Sequence, residues 1–282
     1  MTDADLLDLA RTATLAGGAA MLPFVGRPVP ADAKADGSPL TEADTAAHHA
    51  ILAVLAASGL PVLSEESDPA DLADAAQWTR FWCVDPLDGT KEFVAGRPEF
   101  TVNVALIDGG FPVLGVVHVP VSGVTYGGSG VGAWKEEPGA ARRGVSVREP
   151  HPGRLVVVAS RSHAGPAVDA LLKRIGDDGT EAETASMGSS LKFCLVAEGA
   201  ADLYPRTGPT MAWDTAAAQA VVEAAGGRVA TWSGERLSVD AARLLNPPVV
   251  TMGRAAVAEA WPRGSAGVVP ESGAGPRGPA RR

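Results

Sequence analysis

The spacing of apolar residues changes character along the chain. Over residues 3–22, Leu6, Leu9, Ala10, Ala13 and the Ala16-Gly17 pair recur on one helical face, which predicts an amphipathic helix. Pro23, Pro28 and Pro30 break it. A second helix is expected over 41–55, with Thr41 as N-cap and Glu42 and Asp44 in its first turn. A short apolar piece at 61–63 then opens into Ser64-Glu65-Glu66-Ser67.

From Trp78 the pattern turns β-like. Phe81-Trp82-Cys83-Val84 reads as a strand that ends abruptly in Asp85 and feeds a loop. The β-rich runs 101–107 and 113–119 flank Asp108-Gly109-Gly110, a hairpin signal. Residues 127–132 read as a glycine-rich turn, and 145–147 as a further short strand. Beyond Pro152, strands at 155–159 and 201–204 alternate with helices at 164–175, 189–198 and 213–225, the last closed by Gly226-Gly227. The expected class is α/β, with an α+β half over 1–150 and an α/β half over 151–262. Residues 263–282, rich in Gly, Pro, Ala and Arg, have almost nothing to bury and are expected to be disordered.

Bulk properties narrow the function classes. The formal charge, 24 minus 33, is −9. That argues against a partner such as a nucleic acid polymer or an anionic membrane. No apolar run approaches the ~20 residues of a membrane span, and no charged-then-apolar leader precedes the first helix, so a cytoplasmic location is expected. Cys83 and Cys194 each lie in an apolar stretch and read as buried thiols, not a disulfide.

The candidate chemistry sits at element ends. Glu65 follows one strand-like segment, Asp85 and Asp88 follow the next, and Asp214 opens a helix. Four carboxylates at such junctions can converge on one cleft, and oxygen-only ligation favours a hard cation, Mg²⁺ above all. Within Asp85-Pro86-Leu87-Asp88-Gly89-Thr90, Pro86 stiffens the backbone and Gly89 permits a tight bend or close approach of a phosphate. A helix starting at Gly89 would present backbone N–H groups to an anion. Taken singly, an Asp-x-x-Asp is a solvated turn in most proteins, Glu65-Glu66 a surface pair, and Asp214 a first-turn residue favoured by the helix dipole. Their combination carries the signal.

These segments resemble a known family. Ser64-Glu65-Glu66-Ser67, Trp82-Cys83-Val84-Asp85-Pro86-Leu87-Asp88-Gly89-Thr90 and Trp213-Asp214-Thr215-Ala216-Ala217 are similar to the three signature regions of the inositol monophosphatase superfamily. The likeness runs from about Leu6 to Gly253 and implies a lithium-sensitive, Mg²⁺-dependent phosphatase. It also implies a layered αβαβα sandwich of the inositol monophosphatase/fructose-1,6-bisphosphatase type. Lys91-Glu92-Phe93 after Gly89-Thr90, Lys34-Ala35-Asp36-Gly37-Ser38-Pro39-Leu40, and the run from Gly188-Ser189-Ser190-Leu191-Lys192 to Leu203-Tyr204-Pro205-Arg206 are most similar to its 3′(2′),5′-bisphosphate nucleotidase branch.

By that resemblance, Glu65, Asp85, Asp88, Asp214 and the Leu87 carbonyl hold two or three Mg²⁺ ions. Asp44 and Thr90 orient and activate the attacking water, so that Asp44, Thr90, Glu65 and Asp88 count as catalytic. Ser189, Lys192 and Arg206 hold the phosphates of a nucleotide substrate, beside Gly89, Thr90 and Asp214. A helix would set Ser189 and Lys192 on one face, and the guanidinium fork of an Arg suits a phosphate that is not hydrolysed. The implied reaction releases the 3′-phosphate of adenosine 3′,5′-bisphosphate by attack of metal-activated water, giving AMP. The sulfated 3′-phosphoadenosine nucleotide is a further implied substrate, and the setting is sulfur metabolism. An inositol or sugar phosphatase, and a non-catalytic nucleotide or metal sensor, are the competing readings. A monomer or homodimer is expected.

Three positions stand apart. Relatives commonly carry Gly where this chain has Ala218, so a small local shift without loss of metal binding is expected. His163 is placed near the substrate or in an ordinary loop. His48-His49 are expected on the surface.

Overall fold

A computed structural model of the chain describes residues 1–27, 32–33, 39–68, 70–160, 166–177 and 179–254. Helices α1 (Asp3–Met21) and α2 (Glu42–Leu55) form an outer layer. The Thr2 hydroxyl accepts from the Asp5 amide at 3.2 Å while the Asp5 carboxylate accepts from the Thr2 amide at 2.8 Å, a capping box that starts α1. Between the helices, β1 (Asp32–Ala33) pairs antiparallel with β2 (Pro39–Leu40).

Beneath that layer lies a seven-stranded sheet of β3 (Val62–Ser64), β4 (Arg80–Asp88), β5 (Thr101–Asp108), β6 (Phe111–Val119), β7 (Val124–Ser129), β8 (Gly132–Glu136) and β9 (Arg143–Val145), hydrogen-bonded in that order. Only β3 and β4 run parallel. A one-turn helix, α3 (Thr90–Val94), leaves the end of β4. The second half contributes β10 (Arg154–Ser160), α4 (Pro166–Asp177), β11 (Glu181–Met187), α5 (Leu191–Ala197), β12 (Leu203–Arg206), α6 (Ala212–Ala224), β13 (Arg228–Thr231) and β14 (Val249–Met252). Its five strands are ordered β11-β10-β12-β14-β13, with β10 parallel to both its neighbours.

The burial pattern explains the layering. Along β4 and β5, Trp82, Val84, Val102, Val104 and Leu106 pack towards α1 and α2. The alternate positions Phe81, Cys83, Ala105 and Ile107 pack towards α5 and α6. A strand buried on both faces is apolar at consecutive positions, as in these runs. On β10, Val158 joins that central core while its neighbour Val157 faces α4 with Ala167 and Leu171. The order is helix, sheet, helix, sheet, helix. Truncating the fully buried Trp82 to Ala removes a central packing element and is expected to cost ~3–5 kcal/mol.

Several expectations need correction. Strand β4 does not stop at Asp85: it pairs Asp85 with Asn103, shifts register, and pairs Asp88 with Thr101. The aspartate motif therefore lies within a bulged strand end. Gly127 and Gly128 lie inside β7, where a Cβ would stand 2.2 Å from the Trp134 ring and 2.6 Å from the Val221 backbone; glycine serves close packing there. The short strand at 145–147 is displaced to Arg143–Val145, the strand at 201–204 to Leu203–Arg206, and the helix at 189–198 is shortened to Leu191–Ala197. Strand β11, with its polar sequence, escaped the apolar pattern because it is an edge strand pairing only with β10. Both cysteines are buried and free. No helix among the described residues is long and apolar enough to cross a membrane. Residues 34–38, His163 and 263–282 lie outside the described residues.

Candidate active site

The fold brings Glu65, Asp85 and Asp214 together: one carboxylate oxygen of each lies within 4.8 Å of the others. Each is placed by backbone. The Glu65 amide donates to the Val84 carbonyl at 3.1 Å, locking the turn after β3 against β4. Asp85 sits within β4, 1% exposed, and its Oδ1 accepts from the Leu87 amide at 3.0 Å. Asp214 stands in the first turn of α6, where its Oδ2 accepts from the Met211 amide at 2.7 Å. The helix end thus both fixes and favours the negative charge.

Burial, joined by the charges of Glu65, Asp88 and Asp214, holds the Asp85 carboxyl well above the ordinary carboxylate range. Burial, with Asp88 adding repulsion and the Met211 amide opposing it, raises Asp214 to about 8. Like charges gathered in a low-dielectric site resist ionising together, and a multivalent cation relieves that conflict. All-oxygen donors fit a hard cation.

Asp88 lies beside this group without being one of its three closest members. Its Oδ2 is taken by the second half of the chain, accepting from the Ser190 amide at 2.5 Å and the Ser190 hydroxyl at 2.6 Å. The Leu87 side chain is buried among α1 and α2 residues, while its carbonyl accepts from the Thr90 hydroxyl at 3.3 Å. Gly89, at φ +96°, adopts the left-handed turn into α3 that favours glycine. Asp44 is buried and closes a capping box on Thr41, accepting from its amide at 2.8 Å and its hydroxyl at 2.6 Å.

An open cleft of about 210 Å³, which reaches the acidic group through Asp88 and Asp214, is also lined by Gly89, Ser189, Lys192 and Arg206, among others. Ser189 has φ +49°, so it precedes α5 instead of belonging to it, and the shared helix face expected for Ser189 and Lys192 does not form. The two still meet, because Lys192 Nζ donates to the Ser189 carbonyl at 2.6 Å. Lys192 is 6% exposed and stands 5.5 Å over the Tyr204 ring. Burial, with Arg206 adding repulsion, lowers its ammonium to about 8. Arg206 donates through Nη2 to the Pro209 carbonyl at 3.2 Å, and its buried Nε has no partner among the described residues. A buried, unpaired guanidinium N–H in a cleft is suited to an anion.

Some neighbours were not singled out by their sequence. Asn103, 1% exposed on β5, donates through Nδ2 to the Ser190 hydroxyl at 2.9 Å. Its signal was a polar residue between Val102 and Val104 in a strand buried on both faces. His48 is buried, contrary to the surface expectation, with Nδ1 2.9 Å from the Ser64 hydroxyl just before Glu65; His49 is exposed. Helix period decides this: His48 lies one turn after Asp44, on the face turned inward. Ala218 is fully buried within α6.

Comparison with known proteins places the chain in a family. Residues 4–267 match the inositol monophosphatase family. A curated protein of Shigella flexneri named 3′(2′),5′-bisphosphate nucleotidase CysQ is 52% identical over 225 residues, covering 79% of this chain and 88% of that protein. A Haemophilus influenzae protein of the same name is 32% identical over 237 residues, covering 82% and 86%. The crystal structure of CysQ from Bacteroides thetaiotaomicron superposes with a TM-score of 0.77 at 38% identity, covering 89% of this chain and 97% of that one. An inositol monophosphatase from Thermotoga maritima superposes with a TM-score of 0.73 at 23% identity, covering 94% and 96%, a likeness of fold alone.

Proposed function

The chain belongs to the inositol monophosphatase family, and from that premise we propose that it hydrolyses the 3′-phosphate of adenosine 3′,5′-bisphosphate to AMP and phosphate. The observation that carries this reading is a cleft lined by Asp88 and Asp214 together with Lys192 and Arg206, adjoining the Glu65, Asp85 and Asp214 cluster. Glu65, Asp85, Asp88, Asp214 and the Leu87 carbonyl would hold two or three Mg²⁺ ions. Bound there, Mg²⁺ supplies neutralisation of phosphate charge and lowers the pKa of water.

The chain's own residues do the rest. The Thr90 hydroxyl and the Asp44 carboxylate orient water towards the phosphorus. Ser189, Lys192 and Arg206 bind the phosphate that stays, which fixes the other over the carboxylates. A buried ammonium and an unpaired guanidinium N–H reward a second anionic group that an inositol monophosphate lacks. Most cation ligands thus come from the half over 1–150, and the phosphate contacts and Asp214 from the half over 151–262.

Phosphate release across a substrate panel tests the reading: adenosine 3′,5′-bisphosphate, its 5′-phosphosulfate counterpart, myo-inositol monophosphate and fructose 1,6-bisphosphate, with and without Mg²⁺ and Li⁺. The expected result is Mg²⁺-dependent, Li⁺-inhibited turnover with the bisphosphorylated nucleotide preferred. A preference for inositol phosphate would overturn the substrate assignment.

A further inference from the structure

Ser190 occupies the N-cap position of α5, yet its side chain makes no capping hydrogen bond. A serine there ordinarily accepts from the first turn of its own helix. Here the buried hydroxyl turns the other way. It lies 2.6 Å from Asp88 Oδ2 and 2.9 Å from the Asp214 carbonyl, and it accepts from Asn103 Nδ2 at 2.9 Å.

A hydroxyl has one proton to give. Asn103 fills a lone pair, so the proton goes either to a carboxylate or to a neutral carbonyl. The shorter, charge-assisted bond to Asp88 prevails. With the Ser190 amide at 2.5 Å and the Thr101 hydroxyl at 3.4 Å, Oδ2 of Asp88 is ringed by three donors. Oδ1 accepts no hydrogen bond among the described residues.

We propose that Ser190, held by Asn103, is a positioning residue that presents Asp88 through one oxygen and couples cation binding to the loop carrying Ser189. This rests on the reading of Asp88 as a ligand. Asp88 ends a strand of the first sheet, whereas Ser190 follows directly on Ser189 and leads into the helix that carries Lys192. A shift of that loop as the nucleotide's phosphate binds would therefore move the partner of a cation ligand.

Calorimetric titration with Mg²⁺ in the absence of substrate tests this on the intact chain. Ser190→Ala is expected to weaken Mg²⁺ binding roughly 10- to 100-fold, the usual effect of removing a group that orients a metal ligand. Ser190→Thr keeps the hydroxyl and is expected to restore most of the affinity. An Ala variant that binds like the parent, or a Thr variant that loses as much as Ala, overturns the proposal. If Ser190→Ala does not fold, Asn103→Ala loosens the same hydroxyl from its other side; weakened binding supports the proposal and unchanged binding overturns it. A parent chain that binds no Mg²⁺ overturns the cation reading as well, whereas a binding parent with an indifferent Ser190→Ala overturns only this inference.

Discussion

The acidic cluster and the cationic pair Lys192 and Arg206 share a pattern: each is held by the backbone. In the acidic cluster, Asp85 and Asp214 are held by backbone amides, from Leu87 and Met211, with no cationic side chain bonded to either carboxylate among the described residues. Lys192 and Arg206 bond instead to backbone carbonyls, of Ser189 and Pro209, with no carboxylate in salt-bridge contact with either among the described residues. Elsewhere the molecule pairs its charges directly, as in Arg148 with Asp202 at 2.6 Å and Lys135 with Glu198 at 2.9 Å. Neither group is neutralised by an ion pair of its own, so its charge is poorly compensated in a buried setting and is open to a ligand. Such a site is complementary to a ligand pair that carries both signs, a cation with a polyanion.

The largest effect should come from breaking the acidic cluster. Asp85→Asn is expected to lower turnover by at least about 10³-fold at saturating Mg²⁺, since several kcal/mol of charge stabilisation is lost. Near-normal turnover in that variant would remove Asp85 from the site.

Next, Lys192→Met should act on binding. A charge-assisted contact contributes ~1.5–3 kcal/mol, so KM for the bisphosphorylated nucleotide should rise roughly 10- to 100-fold with a smaller change in kcat. The same substitution should leave KM for adenosine 3′-monophosphate nearly unchanged, because that substrate lacks the second anion. Equal losses on both substrates would show that Lys192 serves the whole cleft.

The acidic cluster should also respond to pH. Asp214 is raised from 3.8 to about 8, so the folded chain keeps a proton that the unfolded chain has released across that interval. Stability of the metal-free protein should therefore fall as pH rises from about 4 to about 8. Mg²⁺ should raise the thermal midpoint more at pH 8 than at pH 5.5, by several degrees, ~1 kcal/mol corresponding to about 2–4 °C at this size. Differential scanning fluorimetry with and without Mg²⁺ measures both. A metal-free midpoint that climbs over that interval would contradict the crowding of carboxylates.

The smallest effect concerns the helix that carries Asp214. Ala218 is fully buried, and the sheet already makes room for α6 at Gly115, where a Cβ would stand 2.4 Å from the Ala217 carbonyl. Ala218→Gly should cost ~1 kcal/mol of stability from helix propensity, read by chemical denaturation, with turnover unchanged.

Local chemistry made much of this legible. The caps of α1 and α2, the Gly109-Gly110 hairpin and the close of α6 at Gly226 follow from residues within a few positions of one another. So does the order of the acidic residues, which motif and resemblance together assigned to a cation. What neighbours in sequence could not determine was decided by packing. Gly127 and Gly128 look like a turn, but pairing with β6 and β8 makes them strand, and Trp134 and α6 pack where a side chain would stand. His48 looks solvated until helix α2 docks and brings it to Ser64. Ser190 reads as part of a helix over 189–198, and its hydroxyl takes its partner because the fold carries Asp88, 102 residues away in the chain, to within 2.6 Å. Residue type and spacing by themselves determined which groups could do chemistry; which of them share a cleft depended on long-range contacts, because burial and charge act through space and not along the chain.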